Sequence, residues 1–205
     1  MSAKPIYLWF DLEFTDLDPD KAQILQVAAL LTDVHLQPLK ADDPGLNISV
    51  ALPEGAPVSA WVEENLADLV ALCRSDKATP ADQVEALLLD YLSSQVGTKA
   101  ESIQDRPVLS GNSVHNDWRL AAMHYPKLIA QLNYRLLDVS TLKQQWLGWL
   151  ERPEFDKENV TLIAEHLPFQ HVPLEGRRHD ALYDVLASIA ELNYYRQFML
   201  MPPMA

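Results

Sequence analysis

The sequence is poor in cysteine, glycine and basic residues, and each shortage excludes a class of protein. Its 205 residues include one cysteine, Cys73, so neither an internal disulfide nor a cluster of thiolate zinc ligands can form. We interpret Cys73 as a small buried apolar residue of an intracellular protein. Only six glycines are present, which excludes a collagen-like or linker-like chain.

Long apolar segments are also missing. No run approaches the roughly 18 uninterrupted apolar residues of a transmembrane helix, so we expect no membrane association. Asp11 and Glu13 interrupt the N-terminal segment where a signal peptide needs an apolar core, so we expect a cytoplasmic location. The hydrophobic content of 48% is sufficient for a packed core. We expect one domain over residues 1–205, with an ordered core at about 6–199.

Basic residues are outnumbered by acidic ones. Lysine and arginine number 16 against 29 aspartates and glutamates, which gives a formal net charge of −13. This balance argues against a broad basic surface that binds the phosphates of duplex DNA or RNA. It is compatible with a short nucleic acid held at a metal site, because bound divalent cations invert the local field.

Five apolar segments bounded by turn residues predict β-strands. They cover residues 6–14, 24–32, 47–52, 107–110 and 135–139. The first three follow one another and predict an antiparallel arrangement, whereas the last two alternate with helices. We therefore predict an α/β fold with a mixed five-stranded sheet flanked by helices.

Segments with apolar residues at helical spacing predict the helices. They cover residues 59–73, 80–96, 116–124, 140–150, 161–167 and 179–198. Thr79 is the expected N-cap of the second helix, and Ser140 or Thr141 is the expected N-cap of the fourth. Polar loops are expected at 151–159 and 171–178.

Two acidic residues, Asp11 and Glu13, interrupt the apolar segment of the first predicted strand. The two-residue period of a strand places both on one face, opposite Leu8, Phe10 and Leu12. Adjacent carboxylates there repel each other and lose solvation, and a divalent cation relieves both penalties. Oxygen ligands select Mg²⁺ or Mn²⁺ over zinc. The alternative is that both side chains face solvent at an edge of the sheet.

Three more residues extend this acidic pattern. Asp117 follows a predicted strand and turn at the start of a helix, and His179 and Asp184 lie five residues apart near the last helix. Each has an ordinary explanation by itself, as a first-turn acid, a structural histidine or a solvated helix acid. Together they have the spacing of acid ligands with a nearby base.

In combination these segments resemble the DEDDh 3′–5′ exonucleases and, within that superfamily, oligoribonuclease. The segments that carry the resemblance are DLEFTDLD at 11–18, GNSVHNDWRL at 111–120 and HDALYD at 179–184. The runs YRLLDVSTL at 134–142 and AELNYYR at 190–196 are similar to oligoribonuclease as well. The resemblance extends over almost the whole chain.

The resemblance implies an RNase H-like fold and a metal-dependent 3′–5′ exoribonuclease. Such an enzyme degrades short single-stranded RNA to nucleoside 5′-monophosphates, with two divalent cations, Mg²⁺ or Mn²⁺, at the scissile phosphate. The implied metal ligands are Asp11, Glu13, Asp117 and Asp184. The implied general base is His179, because imidazole titrates near neutral pH.

The resemblance also implies a set of substrate contacts. The matching positions are Leu12, Leu17, Trp61, Ser113, Tyr134, Arg135, Ser140 and Thr141. The hydroxyl and guanidinium groups would hold a terminal 5′-phosphate, and the apolar side chains would support the bases. As alternatives, the hydroxyl residues suit helix caps and turns, Trp61 suits the core, and Arg135 could pair with Asp138.

A homodimer is implied as well, in which Tyr134 reaches the active site of the partner. The last predicted helix carries aromatic surface that suits an interface, from Tyr194, Tyr195 and Phe198. We therefore expect two copies of the chain to assemble.

The sequence departs from oligoribonuclease at three places. Asp16 stands where that family has glycine, and Leu66 lies near an expected histidine. The segment between Ser140 and His179 is longer, and it ends in an arginine pair that either touches phosphate or is solvated, Arg177 and Arg178. A broader DEDDh exonuclease acting on single-stranded DNA or RNA is therefore an alternative function.

Two alternatives come from other functional classes. A non-catalytic nucleotide-binding module on the same fold would be expected to lack one of the acids or the histidine, and none is missing. A phosphatase that uses Asp11 as its nucleophile usually has a second aspartate two residues later, where this chain has Glu13.

Overall fold

A mixed five-stranded sheet forms the centre of the computed structural model, which describes residues 5–170 and 178–199. In chain order its strands are β1 (Tyr7–Phe14), β2 (Ile24–Thr32), β3 (Leu46–Ser49), β4 (Val108–Gly111) and β5 (Leu136–Asp138). Their spatial order is β3-β2-β1-β4-β5. The pairs β1–β2 and β2–β3 are antiparallel, and β1–β4 and β4–β5 are parallel. The predicted mixed sheet is confirmed.

The described residues form eight α-helices around this sheet. They are α1 (Ala60–Asn65), α2 (Ala67–Cys73), α3 (Ala81–Val96), α4 (His115–His124), α5 (Pro126–Ile129), α6 (Val139–Gly148), α7 (Val160–His166) and α8 (Ala181–Met199). Within the described ranges, none of these helices combines the length and the apolar character needed to cross a membrane.

Local backbone geometry changes two of the predicted elements. The helix predicted at 59–73 is divided into α1 and α2, because Leu66 leaves the helical region with φ −121° and ψ 28°. Its side chain is buried in a small cluster that also includes the predicted buried Cys73. The third strand ends at Ser49 rather than at residue 52, because Val50 forms an isolated bridge with Thr79 instead.

The predicted helix caps at Thr79, Ser140 and Thr141 are wrong. Pro80 occupies the N-cap position of α3, with no hydrogen bond from a side chain. In α6 the N-cap is Asp138, whose carboxylate accepts the N–H of Ser140 at 2.9 Å. Because β5 runs directly into α6, the cap falls on the last strand residue, and both hydroxyl residues lie inside the helix.

The last helix begins two residues later than predicted. The Asp180 carboxylate accepts the N–H groups of Leu182 at 3.2 Å and Tyr183 at 3.3 Å, so Asp180 caps a helix that starts at Ala181. His179 therefore lies in the turn before α8. Of the loop predicted at 171–178, residues 171–177, which include Arg177, lie outside the described residues.

The two faces of β1 bury different side chains. Leu8, Phe10 and Leu12 pack into the core cluster beneath α3 and α4. Trp9, on the other face, is buried in the cluster that includes the inner side of α8. The strand period places Asp11 and Glu13 on this second face, in the middle strand of the sheet. The alternative that they face solvent at a sheet edge is wrong.

Candidate active site

A pocket of about 720 Å³ opens where the carboxyl ends of β1 and β4 meet the first turns of α4 and α8. Parallel strands end at the same edge of a sheet, which brings β1 and the β4–α4 turn together. Gly111 permits this approach, because a Cβ atom at this position would lie 2.9 Å from the carbonyl oxygen of Phe10. The predicted residues that line one end of the pocket, called the carboxylate end, are Asp11, Glu13, Asp117, His179 and Asp184.

The side chain of Asp117 is fixed to the central strand β1 by a hydrogen bond from the main chain of that strand. Its Oδ1 atom accepts the N–H of Leu12 at 2.9 Å. The pairing of β4 with β1 ends at Trp9, so this amide lies beyond the parallel ladder and takes a side-chain acceptor instead. A residue in the first turn of α4 is thereby held against the strand that carries Asp11.

Glu13, His179 and Asp184 form a compact group. Each offers one ligand atom, and these atoms lie within 4.8 Å of one another. The Nδ1 atom of His179 is 3.7 Å from Oε1 of Glu13. The main-chain N–H of His179 donates to Oδ2 of Asp184 at 2.7 Å. The backbone of His179 thus orients one acid while its ring lies beside another.

Burial is the main reason why the acids of this end have raised pKa values. Desolvation, and then the neighbouring carboxylates of the group, raise the pKa of Asp11 well above its usual range. The same causes raise the pKa of Glu13 to about 8, and burial raises that of Asp117 to about 7 and also that of Asp184. Buried carboxylates that repel one another fit a divalent cation, which supplies the missing positive charge to hard oxygen ligands.

Desolvation acts on His179 in the opposite direction. It lowers the pKa of the imidazole, and the charge of Asp184 offsets this only in part. A histidine with a lowered pKa is neutral at physiological pH and has a nitrogen that can accept a proton.

Two pocket residues have left-handed backbone geometry. Ser113 has φ 50° and His179 has φ 69°, a region that residues other than glycine seldom adopt. Strained backbone is retained where the surrounding structure determines it, and it is concentrated at functional sites. Both residues line the same pocket.

The other end of the pocket, called the hydroxyl end, is formed by Ser113 and Ser140. Their Oγ atoms are 3.1 Å apart, and the N–H of Ser113 donates to Oγ of Ser140 at 2.9 Å. The carboxylate of Asp138 accepts the N–H groups of both serines at 2.9 Å. Two hydroxyls and their amides are thus held side by side by one acid.

Apolar side chains form a wall of the pocket. Leu17 is 90% exposed, and Trp61 is 50% exposed with its ring edge-on to that of His179 at a centroid distance of 5.1 Å. Trp61 is therefore a surface residue and not part of the core. Leu12 also borders the pocket, although its side chain packs in the core. Asp16, the departure from the family noted above, lines the pocket beside Leu17.

Three of the predicted substrate residues do not line this pocket. Tyr134, Arg135 and Thr141 are exposed outside it, and the guanidinium of Arg135 lies 4.6 Å from the centre of the Tyr134 ring. The predicted pairing of Arg135 with Asp138 is wrong within the described residues. Apart from the two serine amides, the partner of Asp138 is His115, at 3.5 Å.

Sequence reasoning missed a polar network behind the pocket. The Nζ atom of Lys157 lies 2.7 Å from Oδ1 of Asn112, 3.2 Å from Oε2 of Glu191 and 3.3 Å from Oγ of Ser188. Glu191 is completely buried and also accepts the hydroxyl of Tyr195 at 2.7 Å. Lys157 lies in a polar loop without periodicity, so no local pattern indicates its place in the site.

Comparison with known proteins gives concordant results. The family model described as Exonuclease (RNase T) matches residues 76–192. The oligoribonuclease of Chromobacterium violaceum is 34% identical over 197 residues, covering 94% of each chain. The probable oligoribonuclease of Schizosaccharomyces pombe is 32% identical over 202 residues, covering 97% of this chain and 70% of the other.

Solved structures share the fold. The nuclease domain of 3′hExo, a DEDDh family member bound to rAMP, has a TM-score of 0.55 at 15% identity, covering 98% of this chain and 96% of that one. An exonuclease I from Methylocaldum szegediense has a TM-score of 0.65 at 15% identity, and the chain spans 41% of its length. The expected RNase H-like exonuclease fold is therefore confirmed. From the family model and the two relatives, the chain belongs to the oligoribonuclease family of 3′–5′ exonucleases.

Proposed function

We propose that this exonuclease cleaves short oligoribonucleotides from the 3′ end and releases nucleoside 5′-monophosphates. The observation that carries the proposal is the carboxylate end, where four buried or partly buried acids with raised pKa values line one pocket beside a histidine. The relatives named oligoribonuclease support the substrate class. We also propose that residues 1–205 form a single exonuclease domain that acts in the cytoplasm.

Divalent cations are used by this exonuclease family, and we propose that the chain holds two, Mg²⁺ or Mn²⁺. The ligands would be Asp11, Glu13, Asp117 and Asp184. When bound, such cations polarise the phosphodiester and lower the pKa of a coordinated water. Cations held by these four carboxylates would also explain how a chain with a net charge of −13 can bind a nucleic acid, because the cations rather than basic side chains would contact the phosphates.

His179 is the proposed general base. Its lowered pKa keeps the imidazole neutral near pH 7, so it can take the proton that the attacking water loses as the new bond to phosphorus forms. The bond from phosphorus to the 3′-oxygen breaks at the same time, and the departing 3′-oxygen takes a proton from solvent, which leaves a 3′-hydroxyl on the shortened chain. The charge of Asp184, which acts to raise the pKa of His179, stabilises the resulting imidazolium.

The rest of the pocket would hold the ends of the substrate. Bases would rest on Leu17 and Trp61, because stacking and apolar contact tolerate any base. The hydroxyls of Ser113 and Ser140 would donate to a terminal 5′-phosphate. Because the residues of both ends line one pocket of about 720 Å³, its size favours a substrate of few nucleotides.

We further propose a homodimer that completes the hydroxyl end. Tyr134 and Arg135 are exposed beside the edge strand β5 and do not line the pocket of their own chain. Of the three aromatic residues predicted to supply an interface on the last helix, Phe198 is 59% exposed, whereas Tyr194 is partly buried and Tyr195 is completely buried, so the prediction for Tyr195 is wrong. Trp149, at the end of α6, adds an apolar side chain that is 76% exposed. Two copies that bury this surface would bring Tyr134 and Arg135 to the partner's pocket.

A time course tests the proposal on 5′-phosphorylated RNA of two, five and twenty nucleotides with Mn²⁺, beside an EDTA control and matched DNA. We expect the dinucleotide to be consumed fastest and EDTA to abolish turnover. Equal degradation of the twenty-nucleotide RNA, or of DNA, would instead indicate a general single-strand exonuclease. The variant Asp11→Asn is expected to be inactive, and the exposed Asp76→Asn serves as its matched control.

A further inference from the structure

Lys157 is a partly buried cation that lines the pocket. Its side chain is 16% exposed, and its ammonium donates to Asn112 at 2.7 Å and to Ser188 at 3.3 Å and forms an ion pair with Glu191 at 3.2 Å. Its carbonyl oxygen accepts the hydroxyl of Tyr183 at 2.7 Å, which fixes the loop that carries it. An ammonium engaged by three protein partners is better suited to holding its surroundings than to capturing substrate.

The partners of Lys157 belong to the two segments that supply Asp117 and Asp184. Asn112 lies in the turn that leads into α4 and Asp117, and its amide donates to Glu191 at 2.8 Å. Ser188 lies one turn beyond Asp184 on α8 and donates to its carbonyl oxygen at 2.7 Å. Lys157 therefore ties the turn before α4 to α8.

The charge of Lys157 also reaches the carboxylates. Lys157 lines the same pocket as Asp11 and Asp184, and its partner Ser188 donates in turn to the main-chain carbonyl oxygen of Asp184. In keeping with this placement, the ammonium lowers the pKa of both acids, against the larger effect of burial.

The other lysine and arginine of the pocket are paired mainly with exposed acids: Lys143 with Glu154 at 2.8 Å, and Arg178 with Glu158 at 3.6 Å. Lys143 also lies 4.0 Å from the buried Glu191, a longer contact than the 3.2 Å of Lys157. Among the described residues that line the pocket, Lys157 is the most buried of these three cations.

We propose that Lys157 is a positioning residue that acts as a resident counter-charge. In the metal-free protein it holds the turn that precedes α4 against helix α8. Its positive charge also weakens the binding of divalent cations to the acids beside it. The inference rests on the proposed metal site. A protein that is assembled before its metal arrives can exchange cations without losing the shape of its pocket.

Two substitutions with opposite effects test this inference, with the dissociation constant for Mn²⁺ measured by titration calorimetry. Lys157→Met removes a positive charge from the site, so we expect Mn²⁺ to bind at least ~5-fold more tightly. Glu191→Gln keeps the ammonium but removes its buried counter-ion, so we expect Mn²⁺ to bind at least ~2-fold more weakly. The exposed Lys77→Met, with the same change in net charge as Lys157→Met, should leave the constant unchanged.

Thermal unfolding gives the second measurement. In EDTA we expect Lys157→Met to melt at a lower temperature than the wild type. Saturating Mn²⁺ should raise the melting temperature of the variant by more than it raises that of the wild type. If Lys157→Met does not fold, Lys157→Gln, which retains a donor for Asn112, takes its place. Weaker Mn²⁺ binding in both variants would reveal a merely structural lysine and overturn the inference. Absence of Mn²⁺ binding in the wild type would contradict the metal site itself.

Discussion

The two ends of the pocket are constructed differently. At the carboxylate end every predicted residue is present, each acid is on or beside a regular element, and burial raises the pKa of each of the four carboxyl groups. At the hydroxyl end Ser113 and Ser140 form hydrogen bonds with each other and with Asp138. Three other residues predicted to bind substrate, Tyr134, Arg135 and Thr141, lie outside the pocket. One chain therefore brings together all five residues predicted for the carboxylate end, but only two of the five predicted for the 5′-phosphate and its surroundings line its pocket.

The largest effect is expected at the carboxylate end. Asp184→Asn should reduce kcat by more than ~100-fold, because a metal ligand contributes more than the outer groups that orient it. Circular dichroism should show an unchanged fold, since the acceptor for the His179 N–H is retained as the amide oxygen. Substantial residual turnover with a correct fold would remove Asp184 from the metal site.

Substitution of the base separates proton transfer from metal binding. His179→Gln should lower kcat by ~10²-fold or more, a typical contribution of general base catalysis. Mn²⁺ binding measured by calorimetry should change little, because the main-chain N–H and not the ring holds Asp184. Loss of metal binding along with kcat would show that the imidazole is itself a ligand.

A smaller and more selective effect is expected at the hydroxyl end. Ser113→Ala and Ser140→Ala should each raise KM for a 5′-phosphorylated dinucleotide by about 3- to 10-fold, the value of one ordinary hydrogen bond of about 1 kcal/mol. The same dinucleotide without a 5′-phosphate is the control and should be cleaved equally by variant and wild type. If KM rises equally on both substrates, the serines support the folded structure and do not recognise the 5′-phosphate.

The smallest effect concerns stability. The pKa of Glu13 is raised from 4.5 to about 8, so the folded protein binds this proton more tightly than the unfolded chain does. Stability of the metal-free protein should therefore fall as pH rises from about 5 to about 8, by ~3 °C or more in melting temperature. Glu13→Gln should flatten this dependence. A melting temperature that increases over this interval would contradict the pKa shift.

Much of the fold and of the carboxylate end can be predicted from the sequence. Asp11 and Glu13 are conspicuous because a strand period sets them against an apolar face, and His179 and Asp184 because their spacing is short. Lys157 and Glu191 cannot be found in this way, because their ion pair joins distant segments and neither has a local pattern. The break at Leu66 and the cap at Asp138 depend on how neighbouring elements meet, which local propensity does not encode.

The edge-on contact of Trp61 with His179 gives the protein an optical reporter. The indole is half-exposed and its ring centre lies 5.1 Å from that of the imidazole, so we expect its fluorescence to respond both to protonation of that ring and to a base stacked on the indole. Trp61→Phe supplies the subtraction that isolates this signal from the other four tryptophans. Binding and proton uptake can then be followed in the same cuvette, with no label attached to the nucleotide.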